Sequence, residues 1–204
     1  MQNQHDGLLE ATMFLSGMGV RLGYEIRTSR LRLTPIRINE LDELHRLWTG
    51  PEVRKYIWDD VAISREEAAS IIAQSDDYFL HRRFGLWAMK LGVVPAGEDR
   101  IIGFCGFWHF RDPPELELIY GLEPVYWGRG LATEAARAMI QYGFEQLSFD
   151  SIVGSTDAAN TRSAPVMDRA GMTLTRRAVV AGLETIFYAI SRSEYEQHRG
   201  NILV

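Results

Sequence analysis

The apolar positions of residues 131–147 recur at spacings of four, three and four, at Leu131, Ala135, Ala138 and Tyr142, and so line one face of a helix. Two more helices are expected upstream. Asn39 suits an N-cap before Leu41, Leu44, Leu47 and Trp48 at helical spacing, and Gly50-Pro51 ends that segment. Ser64-Arg-Glu-Glu67 reads as a capping box opening a helix through about Leu80. Arg54, Lys55, Tyr56 and Trp58 then fall in an inter-helix loop. Leu31, Leu33 and Ile36 mark a short strand ahead of both helices. From Phe84 the texture changes to strands at 84–91, 100–110 and 115–122, with turns at Pro95-Ala-Gly97 and Asp112-Pro-Pro114. Residues 151–156 read as a strand, 160–170 as a short helix ended by Gly171, and 172–180 with 184–190 as a hairpin around Ala181-Gly182. Short turns between consecutive strands imply an antiparallel meander, and a helix between strands implies a parallel crossover, so the expected α/β sheet is mixed.

Length and composition narrow the class. The 204 residues, 46% hydrophobic and 24% charged, suit one globular domain able to bury about 70% of its unfolded surface, without need of a disulfide or metal. Residues 1–27 read as an N-terminal extension, open between a docked arm, a dimer contact and partial disorder; the domain proper is expected at 28–194 and a tail at 195–204. The net charge of −5 argues against nucleic-acid binding by phosphate neutralisation. The longest apolar run, 8–20, falls short of the ~18 residues that span a bilayer and is broken by Glu10. The single cysteine, Cys105, has no internal partner, which is compatible with a reducing, cytoplasmic setting. The histidines and Cys105 show no metal-ligand spacing.

The segment Pro124-Val-Tyr-Trp-Gly-Arg-Gly-Leu-Ala-Thr-Glu134 carries the chemistry. It follows a strand and opens a helix. Gly128 and Gly130 permit a sharp turn and close backbone approach. The first amides of the helix have no internal partner and the helix dipole favours negative charge there, which makes a phosphate or diphosphate site. Arg129 adds a cation and Thr133 a hydroxyl. No Gly-Lys-Ser/Thr follows, so this is not a Walker loop, and Thr133 stands where a dinucleotide fingerprint needs its third glycine. The residues alone leave a ligand-free strand-to-helix turn open, as well as another nucleotide-binding protein using the same turn.

Trp127-Gly-Arg-Gly-Leu-Ala132 resembles the acyl-CoA signature of the GNAT superfamily, Gln/Arg-x-x-Gly-x-Gly/Ala, from its fourth position on. Trp127 in place of Gln or Arg, the preceding Glu117, Tyr120, Leu122 and Pro124, and Asn160-Thr-Arg-Ser163 followed by Gly171-Met172 are similar to the branch of ribosomal-protein N-terminal acetyltransferases. The resemblance spans roughly residues 30–192. It implies a mostly antiparallel seven-stranded sheet with about four helices, splayed between its fourth and fifth strands, here 115–122 and 151–156. It further implies acetyl-CoA as cosubstrate. The pantetheine would pair with backbone near Tyr120 and Leu122, the diphosphate would rest on the amides of Gly128, Arg129, Gly130, Leu131, Ala132 and Thr133, and Asn160 would hydrogen-bond the pantetheine from the far side.

The implied reaction is acetyl transfer to a primary amine, either a protein N-terminus or a small molecule, by direct attack. A homodimer is left open, and so is a non-catalytic acyl-CoA-binding module. An ammonium with a pKa near 10 needs a base at neutral pH. Glu117 is the first candidate, and the resemblance places a base at its position. A backbone N–H near Tyr120–Leu122, where relatives carry a β-bulge, is the candidate oxyanion donor. The tyrosine that many relatives use as general acid is replaced by Met167, leaving Ser163 as the polar candidate. Trp58, Trp87, Trp108 and His109 are candidate acceptor-pocket residues, with Trp87 and Trp108 better suited to the core. Cys105, among apolar neighbours, reads as packing.

Overall fold

The computed structural model describes residues 9–16, 19–92, 99–109 and 116–202. Among the described residues nine strands form one sheet: β1 (Leu9–Ser16), β2 (Gly19–Arg27), β3 (Leu31–Pro35), β4 (Leu86–Leu91), β5 (Gly103–His109), β6 (Leu116–Leu122), β7 (Ser151–Asp157), β8 (Thr173–Val180) and β9 (Leu183–Ser191). Their spatial order is sequential to β7, then β9 and β8. The two strands beyond the expected seven are β1 and β2, an antiparallel hairpin that continues the sheet past β3 through Ile26↔Leu33. The expected turns at 95–97 and 112–114 lie outside the described residues.

Six α-helices among the described residues flank the sheet: α1 (Leu41–Thr49), α2 (Pro51–Ile57), α3 (Arg65–Arg82), α4 (Leu131–Glu145), α5 (Ala164–Arg169) and α6 (Arg192–Ile202). Two of them, α2 and α6, are additional to the four expected. The segment expected as a loop after Gly50-Pro51 is α2. Proline does end α1, because the residue before it is pushed to extended backbone (Gly50 ψ 131°), yet Pro51 is itself a good first residue of the next helix. Asn39 is not the cap of α1. It lies within a 3₁₀ turn at Ile38–Glu40, and the Glu40 carboxylate accepts the Arg37 amide at 2.9 Å. The capping box of α3 is present in full: the Glu67 amide donates to Ser64 Oγ at 3.1 Å and the Ser64 amide to the Glu67 carboxylate at 2.7 Å.

Strand alternation divides the core into two layers. Trp87, Met89, Cys105, Phe107 and Leu118 face α4, whose Ala135, Met139 and Tyr142 complete that layer; Trp87 meets Tyr142 edge-on at 5.4 Å. Leu86, Ala88 and Phe104 face α1 and α3, packing with Leu44, Trp48 and Ile72. At the far end, Ala181 (φ 48°) and Gly182 (φ 85°) make the tight turn of the β8–β9 hairpin. Tyr195 of α6 stacks on Phe144 of α4 at 4.8 Å.

The site is positioned by one break in this regularity. β5 and β6 pair over seven residues, and so do β7 and β9, but the parallel neighbours β6 and β7 share one pair, Glu117↔Val153. Beyond it the sheet is splayed.

Candidate functional site

The loop between β6 and α4 is set by two left-handed glycines, Gly128 (φ 71°) and Gly130 (φ 75°). A side chain there is strained, and a Cβ on Gly128 would meet nothing within 4 Å, which leaves an open concave backbone. Gly130 is the N-cap of α4, with no side-chain cap, and the first helical bond runs from the Glu134 amide to the Gly130 carbonyl at 3.0 Å. Among the described residues, no protein acceptor closes the amides of Leu131, Ala132 and Thr133.

The loop is held from behind. Glu134 receives the Thr28 hydroxyl (2.5 Å), the Arg30 amide (2.9 Å) and the Arg30 Nε (2.6 Å), while Arg30 Nη1 donates to the Arg129 carbonyl at 2.8 Å. Burial works to raise the Glu134 pKa; the donors from Thr28 and Arg30 outweigh it and hold the carboxyl below its ordinary range. Trp127, the residue that departs from the family signature, is a strut: its Nε1 donates to the Leu122 carbonyl at 2.7 Å and the Arg162 guanidinium lies 4.9 Å over its ring.

A cleft of about 410 Å³ opens beside this loop at the splayed edge of β6. Of the residues singled out from the sequence, Tyr120, Leu122, Gly128, Gly130, Leu131, Ala132, Thr133, Asn160 and Ser163 line it. Arg129 lies outside the lining, with its guanidinium 5.4 Å over the Tyr126 ring. The Glu123 amide bonds to the carbonyl of Ile102, just ahead of β5, so antiparallel alternation turns the backbone of Leu118, Tyr120 and Leu122 toward the gap. One acceptor there is already engaged, since the Leu122 carbonyl holds Trp127. The β5–β6 register runs without a shift from Gly103↔Leu122 to His109↔Leu116, so the bulge expected near Tyr120–Leu122 is absent. The far wall includes α2 through Glu52, Val53, Tyr56 and Ile57, and the Tyr56 hydroxyl reaches the Ala159 carbonyl at 3.4 Å, crossing the cleft.

Glu117 does not line this cleft. It is buried at the one β6–β7 contact, where its carboxylate accepts Ser155 Oγ at 2.5 Å. Strand alternation puts it on the face opposite Tyr120 and Leu122, with Ile119 and the α1–α3 layer. Ser163 and Tyr120 meet: Tyr120 Oη is 2.9 Å from Ser163 Oγ and donates to the Ser163 carbonyl at 3.1 Å. Met167 is buried against Gly154. Burial of Cys105 pushes its thiol far above the ordinary range, which suits packing and not nucleophilic attack. Trp87 is fully buried in the core; Trp58 packs edge-on against Trp48 and Trp108 against Tyr78, and none of the three lines the cleft. His109 packs against Tyr78 and Phe84. No group of three or more metal-ligating side chains occurs among the described residues, and no described helix is long and apolar enough to cross a membrane.

Sequence reading missed the Tyr56 crossing, the Arg30–Glu134 clamp and the Tyr120 side chain. Only Glu134 gave a signal, as a carboxylate one turn inside a helix start that favours anions.

The acetyltransferase (GNAT) domain family model matches residues 30–173. An N-acetyltransferase termed p20, uncharacterized, from Bacillus licheniformis is 29% identical over 142 residues, 69% of this chain and 78% of that protein. A crystal structure of an acetyltransferase from Agrobacterium tumefaciens superposes with TM-score 0.69 at 25% identity, over 81% of this chain and 93% of that one. RimL, a ribosomal L7/L12 alpha-N-protein acetyltransferase in complex with coenzyme A, shares the fold at TM-score 0.66 and 15% identity, over 80% of this chain and 95% of that one. The chain therefore belongs to the GNAT acetyltransferases. It is an acyl-CoA-dependent acetyltransferase with acetyl-CoA as cosubstrate, and the unclosed amides at the start of α4 beside the open flank of β6 fit that substrate's diphosphate and pantetheine.

Proposed function

We propose that this enzyme moves the acetyl group of acetyl-CoA to a primary amine, a peptide N-terminus or a small amine, by direct attack in the cleft between β6, α2 and α5. The observation that carries the reading is the set of open amides at Leu131, Ala132 and Thr133. They face a cleft whose other wall is the outward-turned backbone of Tyr120 and Leu122. An anion at the helix start and an extended amide chain along the strand are what those two surfaces satisfy.

Asn160 and Ser163 line the opposite wall, and in this reading they bond the extended arm of the substrate. The acceptor enters beside α2, where Glu52 favours a cation. Glu117, on the α1–α3 face of β6 and just outside the cleft lining, takes the ammonium proton through water, the base role expected of its position. An acceptor amine held on this face reaches the thioester across β6 at the point where the sheet parts.

The test is release of free thiol from acetyl-CoA against a panel of peptides with varied first residues and of small primary amines. Turnover with at least one member, and amide product by mass, is expected. Tight CoA binding with no turnover on either set would make the chain an acyl-CoA-binding module, and binding of ATP in preference to CoA would overturn the assignment of the cleft.

A further inference from the structure

Collapse of the tetrahedral intermediate leaves a thiolate that needs a proton, and Met167 cannot donate one. We propose that the Tyr120 hydroxyl supplies it, with Ser163 behind it as the second hydroxyl of a relay. The inference rests on the amine-acetylation reading above.

Three features on β6 and α5 carry it. First, alternation along β6 puts Tyr120 on the same face as Leu118 and Leu122, so its ring crosses the splayed gap toward α5 and lines the cleft. Its hydroxyl stands against Ser163 at the start of α5. Second, the polarity of the contact is the one a relay needs. The phenol proton rests on the Ser163 carbonyl, which leaves Ser163 Oγ–H to donate into the phenol oxygen. Third, the resting acceptor is not stranded when the phenol turns away, because the Ser163 carbonyl also receives the amides of Val166 (2.9 Å) and Met167 (3.2 Å). The Tyr120 proton is thus held where it can be given up without leaving a buried carbonyl unpaired. Burial raises the phenol pKa while the Ser163 hydrogen bond works against that rise, so the group stays protonated until it is used.

The balance of the step is simple. After Glu117 has taken the ammonium proton, which it releases to solvent, the neutral amine nitrogen forms a bond to the acetyl carbon and sheds its second proton to water of the cleft. The carbon–sulfur bond breaks and its electron pair leaves on sulfur. Tyr120 Oη–H passes to sulfur, Ser163 Oγ–H refills the phenol, and the water returns the shed proton to Ser163. Amine and thioester give amide and thiol, with no oxidant or reductant.

The experiment uses the full chain, an amine that turns over in the panel, and acetyl-CoA. Tyr120→Phe keeps the ring and its packing and removes the one hydroxyl. A loss of kcat on the order of 100-fold is expected, in the ordinary range for general acid catalysis, with CoA affinity by calorimetry within about twofold of the native enzyme. Ser163→Ala should lose about tenfold, a smaller effect because water can refill the phenol. Graded fluorotyrosines incorporated at position 120 should change kcat in step with phenol acidity. A kcat within twofold of native for Tyr120→Phe would overturn the proposal. Loss that follows CoA affinity and ignores phenol acidity would do so as well. If the native chain binds CoA but acetylates no amine, the functional reading itself fails, and that outcome is visible before any variant is made.

Discussion

Two helix starts in this molecule make a controlled pair. Both α3 and α4 follow an extended or turning segment and both present amides without helical partners. At α3 those amides are closed by the protein: Ser64 caps Glu67, Glu67 reaches back to Ser64, and the end is finished. At α4 the cap is a glycine with no side chain, in a left-handed conformation, and the amides behind it face a cleft. A sequence that can write a full capping box at one helix and leaves the other open has put a ligand-sized demand at the second. Around that open end it invests in rigidity: Trp127 is tied to Leu122, and Glu134 with Arg30 ties the loop to the entry of β3.

The comparison can be broken most forcefully at Gly130. Gly130→Val forces a branched side chain into a left-handed residue, at a backbone cost of roughly 1–2 kcal/mol, and sets it against the Arg30 guanidinium, whose Nη2 a Cβ there would meet at 3.5 Å, so the turn that aims the open amides is disturbed. CoA binding by calorimetry should fall at least about 100-fold, equivalent to some 2.7 kcal/mol, while circular dichroism still reports the native fold. Unchanged affinity would mean that the open amides are not the anchor. Next in size, Glu117→Gln should lower turnover by about 10- to 100-fold and leave CoA affinity near native. The loss should be largest near neutral pH, where the amine is chiefly protonated. A pH–rate profile identical to native would remove Glu117 from the base role.

A smaller effect is expected behind the loop. Glu134→Gln weakens the hold on Arg30 and the Arg129 carbonyl, and CoA affinity should drop by roughly three- to tenfold, in the range of a partly exposed charged hydrogen bond. Because the folded Glu134 carboxyl sits below its ordinary range, its contribution to stability is present above the usual carboxylate pKa and is lost as pH falls through the depressed folded value. Acid melts of the native protein should therefore steepen relative to Glu134→Gln. The smallest effect on the site, and the sharpest control, is Ser64→Ala. It should cost about 1 kcal/mol of stability by urea unfolding and leave CoA affinity untouched. A shared fall in affinity would show that the two helix starts are coupled and not independent.

Much of the core and of the anchoring loop was legible because each rests on local chemistry. The period of Leu131, Ala135, Ala138 and Tyr142, the Ser64 box, the Ala181-Gly182 turn and the two glycines at 128 and 130 each state their conformation within a few residues. What failed was either a local signal with two meanings or a partnership made at long range. Gly50-Pro51 ends one helix and begins the next, and only the first meaning was read. Asn39 had the right side chain for a cap, but Glu40 reached the Arg37 amide instead. The β1–β2 hairpin extends the sheet by pairing with β3, and α6 is anchored by Tyr195 on Phe144, far away in the chain. The site divides in the same way. Its backbone donors could be read from glycine spacing. The meeting of Tyr120 with Ser163, 43 positions apart, depends on how far β6 and β7 part, which no short stretch encodes.

The sealed position of Cys105 gives the molecule a reporter of its own breathing. It is the sole sulfhydryl of the chain, wholly enclosed beneath α4. A thiol reagent therefore stays silent toward the native state and colours only product coenzyme during an assay. Over longer times the same reagent counts excursions in which the layer between sheet and helix comes apart, and saturating coenzyme should slow that clock in proportion to how tightly it is held.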